Sequence, residues 1–124
     1  MPQQRDPQLW EVASVIQAPG PLELVTEPWT QRDHVIYLEA ISVCNSTTPG
    51  GSVEIGLLQG GHHFALGTVV ALVAGDWVRV PVRVTILSKY QVYARYPIDA
   101  QGNQAGDLCH LHVVGYVLEP YSSP

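Results

Sequence analysis

The clearest hydrophobic pattern in the chain runs from Trp77 to Ile86, where apolar and other residues alternate one by one. A period of two places alternate side chains on opposite faces of a β-strand, so this segment predicts a half-buried strand. Pro81 falls on the outward phase and cannot donate a ladder hydrogen bond, which predicts an edge strand or a bulge. The inward positions are Val78, Val80, Val82, Val84 and Ile86.

Similar short runs of β-branched and aromatic residues are separated by turn clusters rich in Gly, Pro and Asn. Residues 62–73 fit two short strands or one short buried helix, and Gly67 with the Val69-Val70 pair favours strands. With no clear helical period elsewhere, we predict an all-β fold, an antiparallel β-sandwich or jelly-roll barrel of about eight strands. The remaining strand segments are 9–16, 22–26, 35–44, 53–58, 90–96 and 108–118.

The length of 124 residues indicates one domain. We expect an extended arm over residues 1–8, a single β-sandwich over 9–118 and a short tail over 119–124. The first residues have no apolar core of the kind found in a signal peptide, and no stretch of about 18 apolar residues occurs. The sequence therefore predicts a protein that is made, or assembled, in a cytoplasm.

One set of alternating positions is expected to line the core. Cys44 and Cys109 are not spaced as a metal or redox motif, so we expect two buried free thiols. The predicted core residues are Val53, Ile55, Val78, Val80, Val82, Val84, Leu111 and Val113.

The chain contains few charged residues, and most of them are acidic. Apolar residues make up 46% of the chain and charged residues 14%, against about 25% charged in ordinary domains. Six Lys and Arg against 11 Asp and Glu give a net charge of −5, which argues against nucleic acid and anionic membrane as partners. So few charges on a folded domain suggest that part of its surface faces another protein.

The histidines raise the question of a metal. His110 and His112 share one face of a predicted strand, as in the H-x-H pair of cupin barrels. A cupin site also needs a nearby glutamate and a further histidine, which residues 113–118 do not supply. We therefore expect two polar residues on a solvent-facing or subunit-facing strand, with no metal and no cofactor. No nucleophile elbow, phosphate loop or dinucleotide motif occurs either, so no catalytic residue is predicted and the chain is not expected to be an enzyme.

Several aromatic residues fall on outward phases, among them Trp77, Tyr93 and Tyr116. On a weakly charged surface they fit a protein interface, and the alternative is core filling on the far side of a barrel. The interface candidates are Trp77, Pro81, Tyr93, His110, His112 and Tyr116.

From about His34 to Tyr116 the order of several short pieces resembles small β-sandwich proteins of tailed-phage virions. One departure is the turn Ser88-Lys-Tyr90, where the family pattern carries Gly-Asp. The pieces are Val43-Cys-Asn-Ser-Thr47, Val53-Glu-Ile-Gly56, Val92-Tyr-Ala-Arg95, Gly106-Asp-Leu108 and Val113-Val-Gly-Tyr116.

The resemblance implies a capsid decoration, head-spike or tail-associated protein, often a trimer. Its partners would be further copies of itself and the phage major capsid protein or other virion proteins, and its location would be the virion. The alternative from the residues is a carbohydrate-binding or cupin-like domain with a ligand inside the sandwich. That alternative needs a pocket or a bound metal, whereas the virion hypothesis needs a large apolar interface.

We predict that less than about a tenth of the residues are helical, against the usual third. Far-ultraviolet circular dichroism should show the single broad minimum of β-structure. A spectrum dominated by the double minimum of helices would contradict the all-β prediction.

Overall fold

The computed structural model describes residues 8–17, 22–26, 35–87 and 90–118, and these residues form eight β-strands. The described residues contain no helix, and therefore no helix that could span a membrane. The all-β prediction is confirmed. Residues 62–73 contain one strand followed by a loop, and neither two strands nor a helix. The strands are β1 (Gln8–Gln17), β2 (Leu22–Val25), β3 (Val35–Asn45), β4 (Val53–Gln59), β5 (His62–Val69), β6 (Val78–Leu87), β7 (Gln91–Tyr96) and β8 (Leu108–Leu118).

The strands form two four-stranded sheets. Sheet I has the order β1-β8-β3-β6 and sheet II the order β2-β7-β4-β5. Every neighbouring pair is antiparallel, and only the β4–β5 hairpin joins consecutive strands within one sheet. Eight strands divided in this way between two facing sheets are the jelly-roll form of the sandwich, one of the two architectures that the sequence predicted. Residues 1–7 and 119–124, the predicted arm and tail apart from Gln8, lie outside the described residues.

The core lies between the two sheets. Four of the eight predicted core residues, Val53, Ile55, Leu111 and Val113, are essentially inaccessible to solvent. The other four are the valines of β6, which pack against the core and are only partly buried. The difference arises because β6 is the outermost strand of sheet I, so a neighbouring strand covers it on one side only.

Tyr96 joins the two sheets through the core. Its ring is buried in sheet II, and its hydroxyl accepts a hydrogen bond of 3.1 Å from the backbone N–H of Cys44 in sheet I. The same hydroxyl lies against the carbonyl oxygen of His110, to which it donates. Burial raises the pKa of Tyr96 far above its ordinary value, so the phenol stays protonated and can donate.

Strand β6 is irregular in the way that Pro81 predicted. Pro81 lies opposite Ala40, and the register between β3 and β6 shifts next to this pair, between Leu38 and Ala40. Arg83 has a φ of 50°, a left-handed conformation that is uncommon for residues other than glycine and that accompanies bulges. The prediction of an edge strand or a bulge is confirmed, since β6 is the edge of sheet I and carries the bulge.

The two cysteines are free and buried, as predicted. Burial, with the nearby Asp107 carboxylate adding to it, raises the pKa of Cys109 to about 12. At neutral pH this side chain is therefore a protonated thiol that fills space in the core.

Three of the described loops meet at one end of the sandwich, which we call the loop end: residues 46–52, 70–77 and 97–107. The first two are joined by backbone hydrogen bonds of 2.7 Å from Gly50 N–H to the Leu72 carbonyl and 3.0 Å from Leu72 N–H to the Gly51 carbonyl. Leu72 is only 2% exposed and caps the core from this end. The loop end is thus part of the packed structure.

Truncating a valine should reveal how far each position is enclosed. Val113→Ala should lower the free energy of unfolding by about 2–3 kcal/mol, because two methyl groups leave a cavity in a closed core. Val82→Ala removes the same atoms from a half-exposed site and should cost about 1 kcal/mol or less. Chemical denaturation of both variants measures the difference, and equal losses would show that β6 is as enclosed as β8.

Candidate interaction surfaces

Asn45, the last residue of β3, is the centre of a buried polar cluster. Its Nδ2 donates to Asn103 Oδ1 and to Asp107 Oδ2, both at 2.9 Å. Its Oδ1 accepts from the backbone N–H groups of Thr47 at 2.9 Å and Thr48 at 3.1 Å. Both donors and both acceptor positions of the amide are therefore used, and one side chain holds two loops that are more than 50 residues apart in sequence.

Asn103, the second amide of the cluster, also contacts the backbone of the neighbouring loops. Its Nδ2 donates to the carbonyl oxygens of Ser52 at 2.7 Å and Pro97 at 3.1 Å. A Cβ atom on Gly51 would lie 2.2 Å from Asn103 Oδ1, and one on Gly102 would lie 2.7 Å from the Gly51 Cα. Glycine is thus required at both positions by space, and the two loops interlock here.

Asp107 is the charged member of the cluster and is almost fully buried. Burial alone would raise its pKa, but hydrogen bonds from Asn45 Nδ2, the Gln104 N–H and the Thr48 hydroxyl outweigh that effect. The pKa of Asp107 consequently lies below its ordinary value, and the carboxylate is ionised at neutral pH.

The surface of the loop end is unusually apolar for loops. Val70, Val73, Trp77 and Ile98 are 70%, 59%, 52% and 41% exposed. The charged residues of these three loops are Asp76, Asp99 and the buried Asp107, and the loops contain no Lys, Arg or His. The sandwich therefore presents a hydrogen-bonded loop surface that is apolar with an acidic component.

A second apolar surface lies where β5 and β6, the last strands of their sheets, form one side of the sandwich, which we call the open side. Phe64 and Leu66 of β5 are 49% and 37% exposed. The valines of β6 face the same gap and are partly buried. Hydrophobic residues at the inner positions of both edge strands thus remain accessible along this side.

The outer face of sheet I brings three of the predicted interface residues together. The Trp77 ring lies 5.3 Å from the His110 ring and 6.4 Å from the His112 ring, measured between centroids. Ser46 Oγ is 2.5 Å from His110 Nε2. Tyr116 is 38% exposed further along β8. These residues, together with the exposed Pro81 at the edge, form a mixed aromatic and imidazole surface.

Tyr93 requires a correction. It faces outward from sheet II, as the pattern indicated, but none of its surface is exposed, so it offers no aromatic surface to a partner. Its ring lies edge-on against His63, with centroids 4.6 Å apart, and 5.7 Å from the Arg95 guanidinium. Its hydroxyl donates to Glu54 Oε2 at 2.7 Å, and burial together with this carboxylate raises the pKa of Tyr93 to about 12.

The side chains around Tyr93 form a charged network across the outside of sheet II. His63 Nε2 lies 2.6 Å from Glu23 Oε1, and Arg95 lies 3.8 Å from both Glu23 and Glu54. Alternation in the sequence identified the outward phase but could not find this network, because its members come from all four strands of the sheet.

The described residues contain no group of three or more His, Cys, Asp and Glu placed to hold a metal ion. The two histidines of β8 are next to Trp77 and Ser46.

Comparison with known proteins gives distant structural likenesses. No protein-family model and no curated protein sequence matches the chain. One similar structure is that of Bacillus endospore appendages, described as a novel family of disulfide-linked pili, with 10% identity, a TM-score of 0.49, and coverage of 94% of this chain and 92% of that one.

Two others are structures of infectious bursal disease virus. For the Gt strain the identity is 9%, the TM-score 0.44, and the coverage 93% of this chain and 32% of that one. For the Gx strain the values are 10%, 0.46, 96% and 43%. The chain thus spans less than half of either viral chain, and identities this low transfer no function to it.

The Asp107 carboxylate should make the fold sensitive to acid. Since its pKa is lowered on folding, its contribution is fully present above the unfolded pKa of about 4 and is lost as the pH falls through the folded value. Asp107→Asn should cost about 1–3 kcal/mol at pH 7 and flatten the pH dependence of unfolding below pH 4. Urea denaturation from pH 7 to pH 2 measures this.

Glu39→Gln, which neutralises a partly exposed carboxylate of sheet I, is the matched control and should change the free energy of unfolding at pH 7 by less than about 1 kcal/mol. An unchanged acid profile for Asp107→Asn would show that the buried cluster does not depend on the charge.

Proposed function

We propose that this protein is a non-enzymatic structural subunit of a virion, a homo-oligomer that binds coat subunits as a capsid decoration protein. The observation that carries the proposal is the exposure of large apolar side chains on two surfaces of a hydrogen-bonded fold, the loop end and the open side. Monomeric soluble proteins rarely leave such surfaces to water, and larger exposed patches usually mark sites of protein contact.

The loop end has the properties of a preformed contact surface. Exposed loops are normally mobile, and ordering them on binding costs free energy. Here Asn45 fixes two of the three loops and the Leu72 hydrogen bonds fix the third. The backbone that carries Val70 and Val73 is therefore already ordered. A partner that covers these side chains would spend little binding free energy on ordering the loops.

The open side supports association with further copies. Edge strands that expose apolar residues promote pairing with other chains, and natural proteins cover or blunt them. Burying Phe64 and the half-buried valines of β6 against another subunit would complete the core on this side. A closed symmetric oligomer would achieve that without leaving a free edge.

The resemblance of residues 34–116 to tailed-phage virion proteins supports the more specific part of the proposal, a trimer on the outside of a phage capsid. The partners would be the major capsid protein or other virion proteins, and assembly would take place in the host cytoplasm. The jelly-roll architecture is compatible with this role but does not select it, because lectins and cupins share it.

Sedimentation velocity at micromolar concentration tests the oligomer first. We expect a species of several times 13.5 kDa, with a trimer as the specific expectation. A clean monomer at every concentration tested would contradict the self-association on which the proposal depends.

Co-sedimentation with undecorated phage capsids tests the location. Binding should saturate at a fixed number of copies per capsid and should weaken when Tyr116, exposed on the outer face of sheet I, is changed to Asp. Gln59→Asp, which adds the same charge at an exposed position at the end of β4, is the matched control. Absence of binding to capsids, or binding to tails alone, would contradict the decoration role and leave the oligomer intact.

A further inference from the structure

We infer that the loop end of one copy docks on the open side of the next, so that the oligomer forms by a head-to-side contact. This rests on the proposed self-association and specifies which two surfaces make it. The two surfaces are both apolar but carry opposite charge.

The positive charge of the described residues is concentrated beside the open side. These residues include three Lys and Arg, namely Arg79, Arg83 and Arg95. Arg95 lies on sheet II between Glu23 and Glu54, 3.8 Å from each. The other two are exposed on β6, where Arg79 is 3.8 Å from Glu39 with 58% of its side chain exposed. The open side is therefore an apolar gap with a basic margin.

The loop end carries the complementary charge. Asp76 and Asp99 are exposed there among Val70, Val73 and Ile98, and the three loops contain no basic residue. Apolar area supplies much of the affinity of a protein contact, whereas complementary charge fixes its register and excludes wrong pairings. An acidic apolar surface and a basic apolar surface on one chain meet both requirements between copies.

Contacts between identical surfaces are disfavoured by the same charges. Two loop ends facing each other would bring Asp76 and Asp99 of both copies together. Two β6 edges would oppose Arg79 and Arg83, and Pro81 would prevent regular pairing between them. A contact between two different surfaces is heterologous, and such contacts close into rings or extend as filaments. A ring of three is the closed form that agrees with the proposed trimer.

The difference between the two strands of the open side fits this arrangement. Each of the two strands carries a bulge, but only β6 also contains a proline and two arginines. Strand β5, with the sequence HHFALGTV, contains no proline and no Lys, Arg, Asp or Glu. An uncharged edge strand with exposed Phe64 and Leu66 is an aggregation hazard unless it is covered. A neighbouring loop end would cover it while the arginines of β6 fix the register.

Charge reversal tests the contact directly. The first variant is Arg79→Glu with Arg83→Glu, the second is Asp76→Lys with Asp99→Lys, and the third combines all four changes. Sedimentation equilibrium gives the dissociation constant of the oligomer for each, and circular dichroism with thermal melting shows whether each is folded. Gln59→Glu, which adds an acid at the end of the sandwich opposite the loop end, is the control.

We expect each double variant to raise the dissociation constant at least tenfold and the four-fold variant to restore it to within about threefold of the natural chain. The control should leave it unchanged. If a reversal unfolds the chain, the neutral changes Arg79→Gln with Arg83→Gln should still weaken assembly. A natural chain that is monomeric overturns the proposed function together with this inference. If the chain is an oligomer but the reversals leave its dissociation constant unchanged, or their combination does not restore it, the head-to-side contact alone is overturned.

Discussion

The structure depends on one constraint: each four-stranded sheet has an apolar inner face that can be buried only against the other sheet. Burial is complete in the middle of the sandwich, where β3 and β8 face β4 and β7, and Tyr96 adds a hydrogen bond from sheet II to the backbone of sheet I. It is incomplete where β5 and β6 end the sheets. Among the described strand residues, the most exposed large apolar side chain, Phe64, therefore lies at that side.

The same constraint explains why the loop end is well held. A loop crossing the end of an apolar core carries polar backbone groups that must find partners. Here Leu72 closes the core while its own N–H and carbonyl bond to the neighbouring loop, and the Asn45 amide satisfies groups of two loops at once. Buried polar groups that are all paired favour one arrangement over its alternatives. The loop end can then present apolar side chains to a partner without first being ordered by it.

On the outer face of sheet II, the burial of one residue differs from what the alternation of apolar and polar residues implies. Tyr93 and Gly56 are partners in the β4–β7 ladder, and a Cβ on Gly56 would lie 2.2 Å from the Phe64 carbonyl oxygen. The glycine lets β5 approach closely, and His63 of that strand then covers the Tyr93 ring. An outward residue has become buried through contacts between three strands.

The sequence by itself determined the strand segments outside residues 62–73, the all-β class and the irregular edge at Pro81, because alternation, turn chemistry and the missing proline N–H are local properties. It also identified the inward phase of β6 and the free thiols. Only the tertiary structure decided which strands end the sheets, and hence that the β6 valines are half-exposed while Val113 is enclosed. The Asn45 cluster likewise joins residues about 60 positions apart, and the acidic loop end and basic margin are formed by distant segments. Which residues meet over such sequence separations depends on how the two sheets bury their apolar faces against each other. A local sequence pattern does not contain that information.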